Sequence, residues 1–495
     1  MLDWLIVGGG PHGIHMACRL LDRGVHPERI AILDPHAEPL ARWKHHTHNT
    51  GMLHLRSPRV HNLDVDPLSL ARHAETKAFM AAKRELREEH PVRERDFIAP
   101  YSRPSLRLFT HHVQSLVDAK ALMRLWRSAE ARSLQALEHG YRVQTHSGEQ
   151  IEAKNIVLAL GAGDHLNWPP WAVQYKSQKG EANIWHIFAP EFTREQIAET
   201  DDVAIVGAGI SAAQLALALL EANPNRRIFL VSRHFLKKQD FDSDPGWLGP
   251  TLLKAFHREK CYAKRRSMIR EARHIGSLAS EVTDRLQEAI LRDKTISLEL
   301  AKVHTVSHGP TRRNLQLHLY PFELDTTQYD DTGDLVFQFS KDVKILEADT
   351  VVLATGFQSR RPGGAFLDEA IPGMNLPTAR DGFPIVDRHL SWRKGLFVMG
   401  PLAELEVGPA SRNLSGARMA ADRIVHSPEA HESTRPLASL PTSRAGRMKR
   451  QVESRRPEAP PHLLGEHKNP PTSRSSTRVC PTRSDSEHPQ RSQSG

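Results

Sequence analysis

Gly8, Gly10 and Gly13 stand at the spacing G-x-G-x-x-G, and Gly207, Gly209 and Ala212 at G-x-G-x-x-A, in a chain of 495 residues. The chemistry open to such turns is the seating of a pyrophosphate. The first glycine permits the tight turn, the second lets backbone approach the phosphates, and the third position lets a helix pack on its strand. The unpaired N–H groups at the helix start then face the anion. Pro11 sits in the first turn and Ser211 in the second. The residues that would read a ribose differ in charge. Asp34 ends the strand after the first turn and suits a ribose diol. Ser232-Arg233 ends the strand after the second, and Arg233, with Lys237 and Lys238 nearby, suits a 2′-phosphate. A chain that holds FAD on the first turn and NADPH on the second accounts for both.

The flanking elements supply the context that gives the glycine spacing meaning. Leu5-Ile6-Val7 is a short apolar strand, Ile14 to Leu21 repeats at helical spacing, and Arg29–Leu33 is a second strand. Val203–Val206, Leu215–Leu220 and Arg227–Val231 repeat the arrangement. Between them Ser105–Ala131 carries a helical apolar stripe, Tyr141–Glu152 reads as a hairpin turning at Ser147-Gly148, and Asn155–Gly161 is a buried strand. Residues 246–300 read as helical and basic. Leu315–Leu319 and Leu335–Phe339 read as strands about a turn at Asp330–Gly333, and Ala410–Val425 as a last helix whose N-terminus faces the flavin ring.

The fold class expected is α/β, with two Rossmann-like domains, the second inserted in the first. Residues 1–165 and 346–426 make the FAD domain, 200–345 the NAD(P)H domain, and 427–495 a disordered basic tail rich in Pro, Ser and Arg. Between 36 and 75 lie Trp43, His45, His46, His48, Arg56 and His61, whose spacings match no standard metal set. They read as a cation-rich wall, with Trp43 and Arg56 toward the flavin and His61 toward substrate.

Composition narrows the classes. At 39% hydrophobic and 25% charged the chain is globular over most of its length, and net charge is +9. Specific nucleic-acid binding is not expected; much of the basic charge lies in the tail, which reads as a solvated extension. Cys18, Cys261 and Cys480 form no C-x-x-C, which argues against a dithiol redox centre and for a reducing, cytoplasmic setting. No secretory signal is expected. The nearly uncharged run Val203–Leu220 parses as strand, turn and helix rather than a membrane span.

Together these motifs resemble the two-dinucleotide-binding-domain flavoproteins and, among them, the class B flavin monooxygenases such as the lysine and ornithine N-hydroxylases. The run Asp349-x-x-x-Leu353-Ala354-Thr355-Gly356-Phe357-x-x-x-x-Pro362 is similar to the N-hydroxylase signature D-x-x-x-L/F-A-T-G-Y-x-x-x-x-H/P, with Phe for Tyr. The resemblance implies FAD and NADPH as cofactors, with Gly356, Gly400 and Pro401 at the flavin site. It also implies O2 as co-substrate, and a C4a-hydroperoxyflavin that oxygenates a small soft nucleophile, an amine or a sulfide. An NAD(P)H-dependent flavin reductase, a weak oxidase and a nucleotide-binding sensor are the alternatives. The chain departs from the pattern where N-hydroxylases carry W-H-x-G-M-L, M-Q and K-D-L: here stand His48–Leu53, Leu55-Arg56 and His61-Asn62-Leu63. The N-E-x-F-x-P and N-Y substrate segments have no counterpart between Phe235 and Ser280. Ornithine or lysine as substrate therefore does not carry over with the scaffold.

Overall fold

A computed structural model of the protein describes residues 1–89, 95–163, 165–179, 183–199, 201–293, 295–309, 314–329 and 335–433. Leu2–Val7 is the middle of the first sheet. It pairs in parallel with Ile30–Asp34 on one side and Gln150–Leu158 on the other, Leu5 facing both Ala31 and Ile156. Trp126–Ser128 extends one edge, and Leu396–Val398 with Ser391–Arg393 the other. Leu5, Ile6, Ile32, Ile156 and Val157 are all fully buried, as expected for parallel strands covered on both faces. The helices Pro11–Asp22 and Leu414–Val425 pack together on this sheet.

The second sheet repeats the plan around Val203–Val206. This strand lies in parallel between Ile228–Ser232 and Thr350–Leu353, Ile205 facing Leu230 and Val352. Ile184–His186 closes one edge, and Ile296–His308, Leu315–Tyr329 and Leu335–Phe339 run out from the other. Two expected boundaries change here. Thr350–Leu353 belongs to the second sheet, not to a first-domain segment opening at 346, and Ile184–His186 enters that sheet before residue 200. An apolar run such as Thr350-Val351-Val352-Leu353 is buried on both faces in either sheet, so its composition does not say which it joins. The basic stretch 246–300 is helical, apart from the short strand Ser277–Leu278, as far as the π-helical turn Ala289–Asp293. Ile296 then opens a 13-residue strand.

The helix expected as the last, over Ala410–Val425, begins at Leu414, with a 3-10 turn at Pro409–Arg412 before it and one further short helix after it. Residues 427–433, expected to belong to the tail, are folded. Ser427 is fully buried, its Oγ accepts the Ala430 N–H at 3.2 Å, and Pro428–Ser433 is helical. Residues 434–495, and the turn at Asp330–Gly333, lie outside the described residues. No helix among the described residues is long and apolar enough to cross a membrane.

Candidate dinucleotide sites and the junction between lobes

Each glycine of the first turn has a separate physical reason. Gly8 has φ +112°, and a Cβ there would lie 2.5 Å from the Ala159 carbonyl oxygen. A Cβ on Gly13 would lie 1.8 Å from the Gly8 carbonyl oxygen, so only glycine lets this helix sit so close to its strand. A Cβ on Gly10 meets no protein atom within 4 Å; that face is open to a ligand. No side chain caps the helix that Gly10 and Pro11 begin, leaving its first N–H groups for an anion.

Asp34 sits against this turn. Its Oδ2 accepts the Gly9 N–H at 2.7 Å and its Oδ1 the His36 N–H at 3.0 Å. A carboxylate offers about four lone-pair sites, so a ribose hydroxyl can still be accepted. Two partners of the turn were not legible in advance. Trp126 closes over Gly9, its ring 2.1 Å from where a Cβ would stand. His12 donates from Nε2 to the Ser411 carbonyl at 2.9 Å and lies 3.6 Å from a Cβ position on Gly400. Burial pushes the His12 pKa down, keeping the ring neutral. His12 thereby gathers the Gly400-Pro401 turn and the approach to the last helix around the first glycine turn. That last helix is also uncapped by any side chain, and the buried Ser411 Oγ beside it has no partner. An open glycine face, two bare helix starts and an orphaned hydroxyl fit a flavin dinucleotide.

The second turn follows the same logic with one relaxation. Gly207 has φ +129° and a Cβ there would lie 2.5 Å from the Ala354 carbonyl oxygen. Ala212 is fully buried at the third position, so this helix accommodates a methyl that Gly13 excludes. The helix Ile210–Ala222 is capped by no side chain, and Arg233 is exposed beyond the next strand.

The two lobes are joined by two crossing segments that are zipped together. Leu166 and Phe357 form an antiparallel bridge. The Asn167 N–H donates to the Gly356 carbonyl at 2.9 Å and the Gln358 N–H to the His165 carbonyl at 2.7 Å. Gly356, at φ +73°, is therefore a linker residue as well as a candidate flavin contact. The helix Ala41–Thr50 locks the lobes from the side. Asn49 Nδ2 donates to the Ile187 and Phe192 carbonyls at 3.1 and 2.8 Å. At Gly51, φ +66°, a Cβ would lie 2.4 Å from the Ala218 Cβ of the second lobe.

This packing corrects the expectations for Arg56 and His46 and places Trp43 and His61. Arg56 does not face the first turn. Its guanidinium donates to the carbonyls of Gln239, Asp240 and Phe241 at 2.6, 3.0 and 2.9 Å and to Ser277 Oγ at 2.8 Å, all in the second lobe. His46 is not one of a wall of cations. Burial lowers His46 to about 4, beside the stacked rings of Phe188 and Phe357. Trp43 packs on Phe109, ring centroids 5.3 Å apart, in the first core. His61 stays half-buried in the loop that Arg418, from the last helix, grips through the Asn62, Asp64 and Val65 carbonyls.

These neutral histidines carry a pH dependence. Burial lowers His15 to about 3 and His46, His112 and His186 each to about 4, from an ordinary 6.5. Below pH 6.5 the unfolded chain takes up protons that the folded chain refuses, so stability falls as pH drops from 6.5 toward about 4. Above 6.5 these groups contribute no slope. Thermal melts across this range check the expectation, and a midpoint that stays level between pH 6.5 and 4.5 contradicts it.

Comparison with known proteins agrees with this geometry. A family model described as FAD-NAD(P)-binding matches residues 5–163, and one described as L-lysine 6-monooxygenase/L-ornithine 5-monooxygenase matches residues 123–359. No curated protein matches the chain. Among solved structures, the ornithine hydroxylase PvdA from Pseudomonas aeruginosa superposes with a TM-score of 0.62 at 18% identity, over 87% of this chain and 99% of that one. DfoA, the cadaverine monooxygenase of the desferrioxamine pathway of Erwinia amylovora, gives 0.61 at 16%, over 90% and 100%. The L-lysine 6-monooxygenase of Pseudomonas syringae gives 0.61 at 18%, over 88% and 100%. At these identities the structures speak for the fold.

Proposed function

We propose that this chain, whose two dinucleotide-binding lobes resemble those of the class B flavin monooxygenases, is a flavoprotein that uses NADPH and O2 to hydroxylate the nitrogen of a small amine. The reaction balances as R–NH2 + O2 + NADPH + H+ giving R–NHOH + H2O + NADP+. FAD, when bound, supplies the electron relay and the activation of oxygen; the chain seats, orients and shields. In this reading Gly8, Gly10, Pro11, Gly13, Asp34, Gly400 and Pro401 seat FAD. Gly207, Gly209, Ser211, Ala212 and Arg233 seat NADPH.

The observation that carries the reading is the placement of the Asp349–Pro362 signature. Its strand lies beside Val203–Val206, its Ala354 carbonyl touches the second glycine turn, and its Gly356-Phe357 is zipped to the other linker. One short run thus ties the visiting nucleotide's turn to the crossing between lobes. DfoA acts on cadaverine, an amine without a carboxylate. The Lys of K-D-L is absent here, with His61-Asn62-Leu63 in its place, which favours a substrate of that kind over an amino acid. We place the enzyme in the cytoplasm; the buried Cys18 thiol, pushed up to about 12, is no redox participant.

Oxygen uptake with NADPH tests the proposal. Uptake should rise when diamines are added, with hydroxylamine appearing in proportion. Peroxide as the sole product with every amine tried would instead make the protein an oxidase. Arg233 tests the nucleotide choice. Arg233→Ser should weaken NADPH by about tenfold or more and leave NADH unchanged, because only the 2′-phosphate loses its charge-assisted partner. Equal loss for both nucleotides would remove Arg233 from that role.

A further inference from the structure

The equivalent glycines of the two turns face different surroundings. Gly10 looks onto open space, whereas a Cβ on Gly209 would lie 3.4 Å from the Cα of Gly276 and 3.9 Å from its carbonyl carbon. The middle glycine is the one whose bare face a pyrophosphate needs. In the second lobe that face is covered by the backbone of another glycine.

Gly276 sits at φ +74° in a loop tied down from several sides. The Arg273 guanidinium pairs with Asp242 at 3.1 Å, and the His274 N–H donates to the Asp242 carbonyl at 2.8 Å. Ser277-Leu278 pairs in parallel with Lys237-Lys238. A further tie comes from the other lobe. Arg56 donates to Ser277 Oγ, which itself donates to the His274 carbonyl at 2.6 Å, and the same guanidinium holds the carbonyls of 239, 240 and 241. All four Arg56 acceptors are neutral, in the two segments that frame Gly276.

We propose that Arg56 is a positioning residue that clamps the 273–278 loop over the second glycine turn, so that NADPH enters only when this loop lifts. The inference rests on the reading that Gly207–Ala212 seats NADPH. Gly276 and the pyrophosphate compete for one face of Gly209, so the grip of Arg56 on the loop subtracts directly from NADPH affinity. A first-lobe side chain thereby controls admission to the second lobe.

Binding of NADP+ to the FAD-loaded protein, followed by calorimetry, tests this without turnover. Arg56→Met should bind NADP+ about tenfold more tightly than wild type. Ser277→Ala, which removes one of the four Arg56 acceptors along with that hydroxyl's own bond to the His274 carbonyl, should shift affinity the same way by a smaller factor. In the nucleotide-free protein the amides of His274 and Ser277 should exchange faster in both variants. Unchanged or weaker NADP+ binding in both variants, with FAD content and a cooperative melt retained, overturns the clamp. A Gly209→Val control separates the premise. If that variant binds NADP+ as wild type does, or if wild type and both loosened variants fail to bind it, the NADPH assignment of this turn fails and the clamp with it. Binding by the loosened variants alone supports the clamp.

Discussion

Gly10→Val should yield a folded, colourless protein. Gly10 is the N-cap of its helix, with φ −73° and ψ −174°, an extended conformation that valine adopts. A Cβ there touches no protein atom within 4 Å, so the chain itself has no reason to object. The cofactor does, because the added side chain projects from the bare face to which the pyrophosphate must come. Forcing extra carbon into a tight contact costs about 3 kcal/mol, and each 1.4 kcal/mol is tenfold in affinity. FAD binding should therefore weaken by about a hundredfold or more, while the helical circular dichroism and the cooperative melt of the apoprotein are kept. Gly13→Ala is the informative contrast. Its Cβ would lie 1.8 Å from the Gly8 carbonyl oxygen, so the helix must leave the strand, and both colour and stability should be lost. Flavin absorbance after purification, read beside the melting curve, distinguishes the two variants. A Gly10→Val protein that emerges with one FAD per chain would show that the pyrophosphate sits elsewhere.

The contrast between these glycines also explains what could be read in advance. The turns, their flanking strands and the difference between Asp34 and Arg233 are set by residues within about thirty positions of one another. Their steric demands are local, and glycine spacing records them. The linker signature is equally local. The partition of strands between lobes is another matter. Thr350–Leu353 pairs with a strand some 150 positions earlier, and valines carry no address. Arg56 was assigned to the wrong neighbour for a related reason: its acceptors are three backbone carbonyls and a serine, groups that any sequence supplies. The charge of His46 was misjudged because it depends on burial. His46 and His186 lose their protons against the junction between lobes, which composition does not reveal. His12 lay inside the glycine motif, yet its partner Ser411 is 399 positions away.

The same long-range logic makes Glu404 the site of the largest stability loss expected from a side chain outside the nucleotide turns. Glu404 is 1% exposed and follows the Gly400–Ala403 turn. Its Oε2 accepts from Arg412 Nε at 2.8 Å and its Oε1 from Arg266 of the helix Tyr262–Ala272, an element that precedes the second lobe's long strands. Burial pushes its carboxyl pKa up, but the two guanidiniums outweigh that and hold it below the usual range. Removing the carboxylate leaves two arginines, each about a fifth exposed, without their shared acceptor. Breaking one side of a buried ion pair costs about 3–5 kcal/mol. Arg266 keeps Asp381 as a partner at 2.7 Å and stacks on Phe383 at 4.1 Å, so Glu404→Ala should fall toward the lower part of that range. Glu404→Gln, which keeps a hydrogen-bond acceptor, should lose less. The pH dependence has a fixed sign: a carboxyl depressed in the folded state stabilises above its unfolded pKa, and that contribution fades as pH falls through the folded value. Wild type should thus approach Glu404→Gln in stability as the medium is acidified. Flavin fluorescence during heating reports the loss directly, because the turn that Glu404 anchors contains Gly400 and Pro401. A variant that melts with wild type at neutral pH would mean that the Arg266–Glu404–Arg412 bridge holds nothing together.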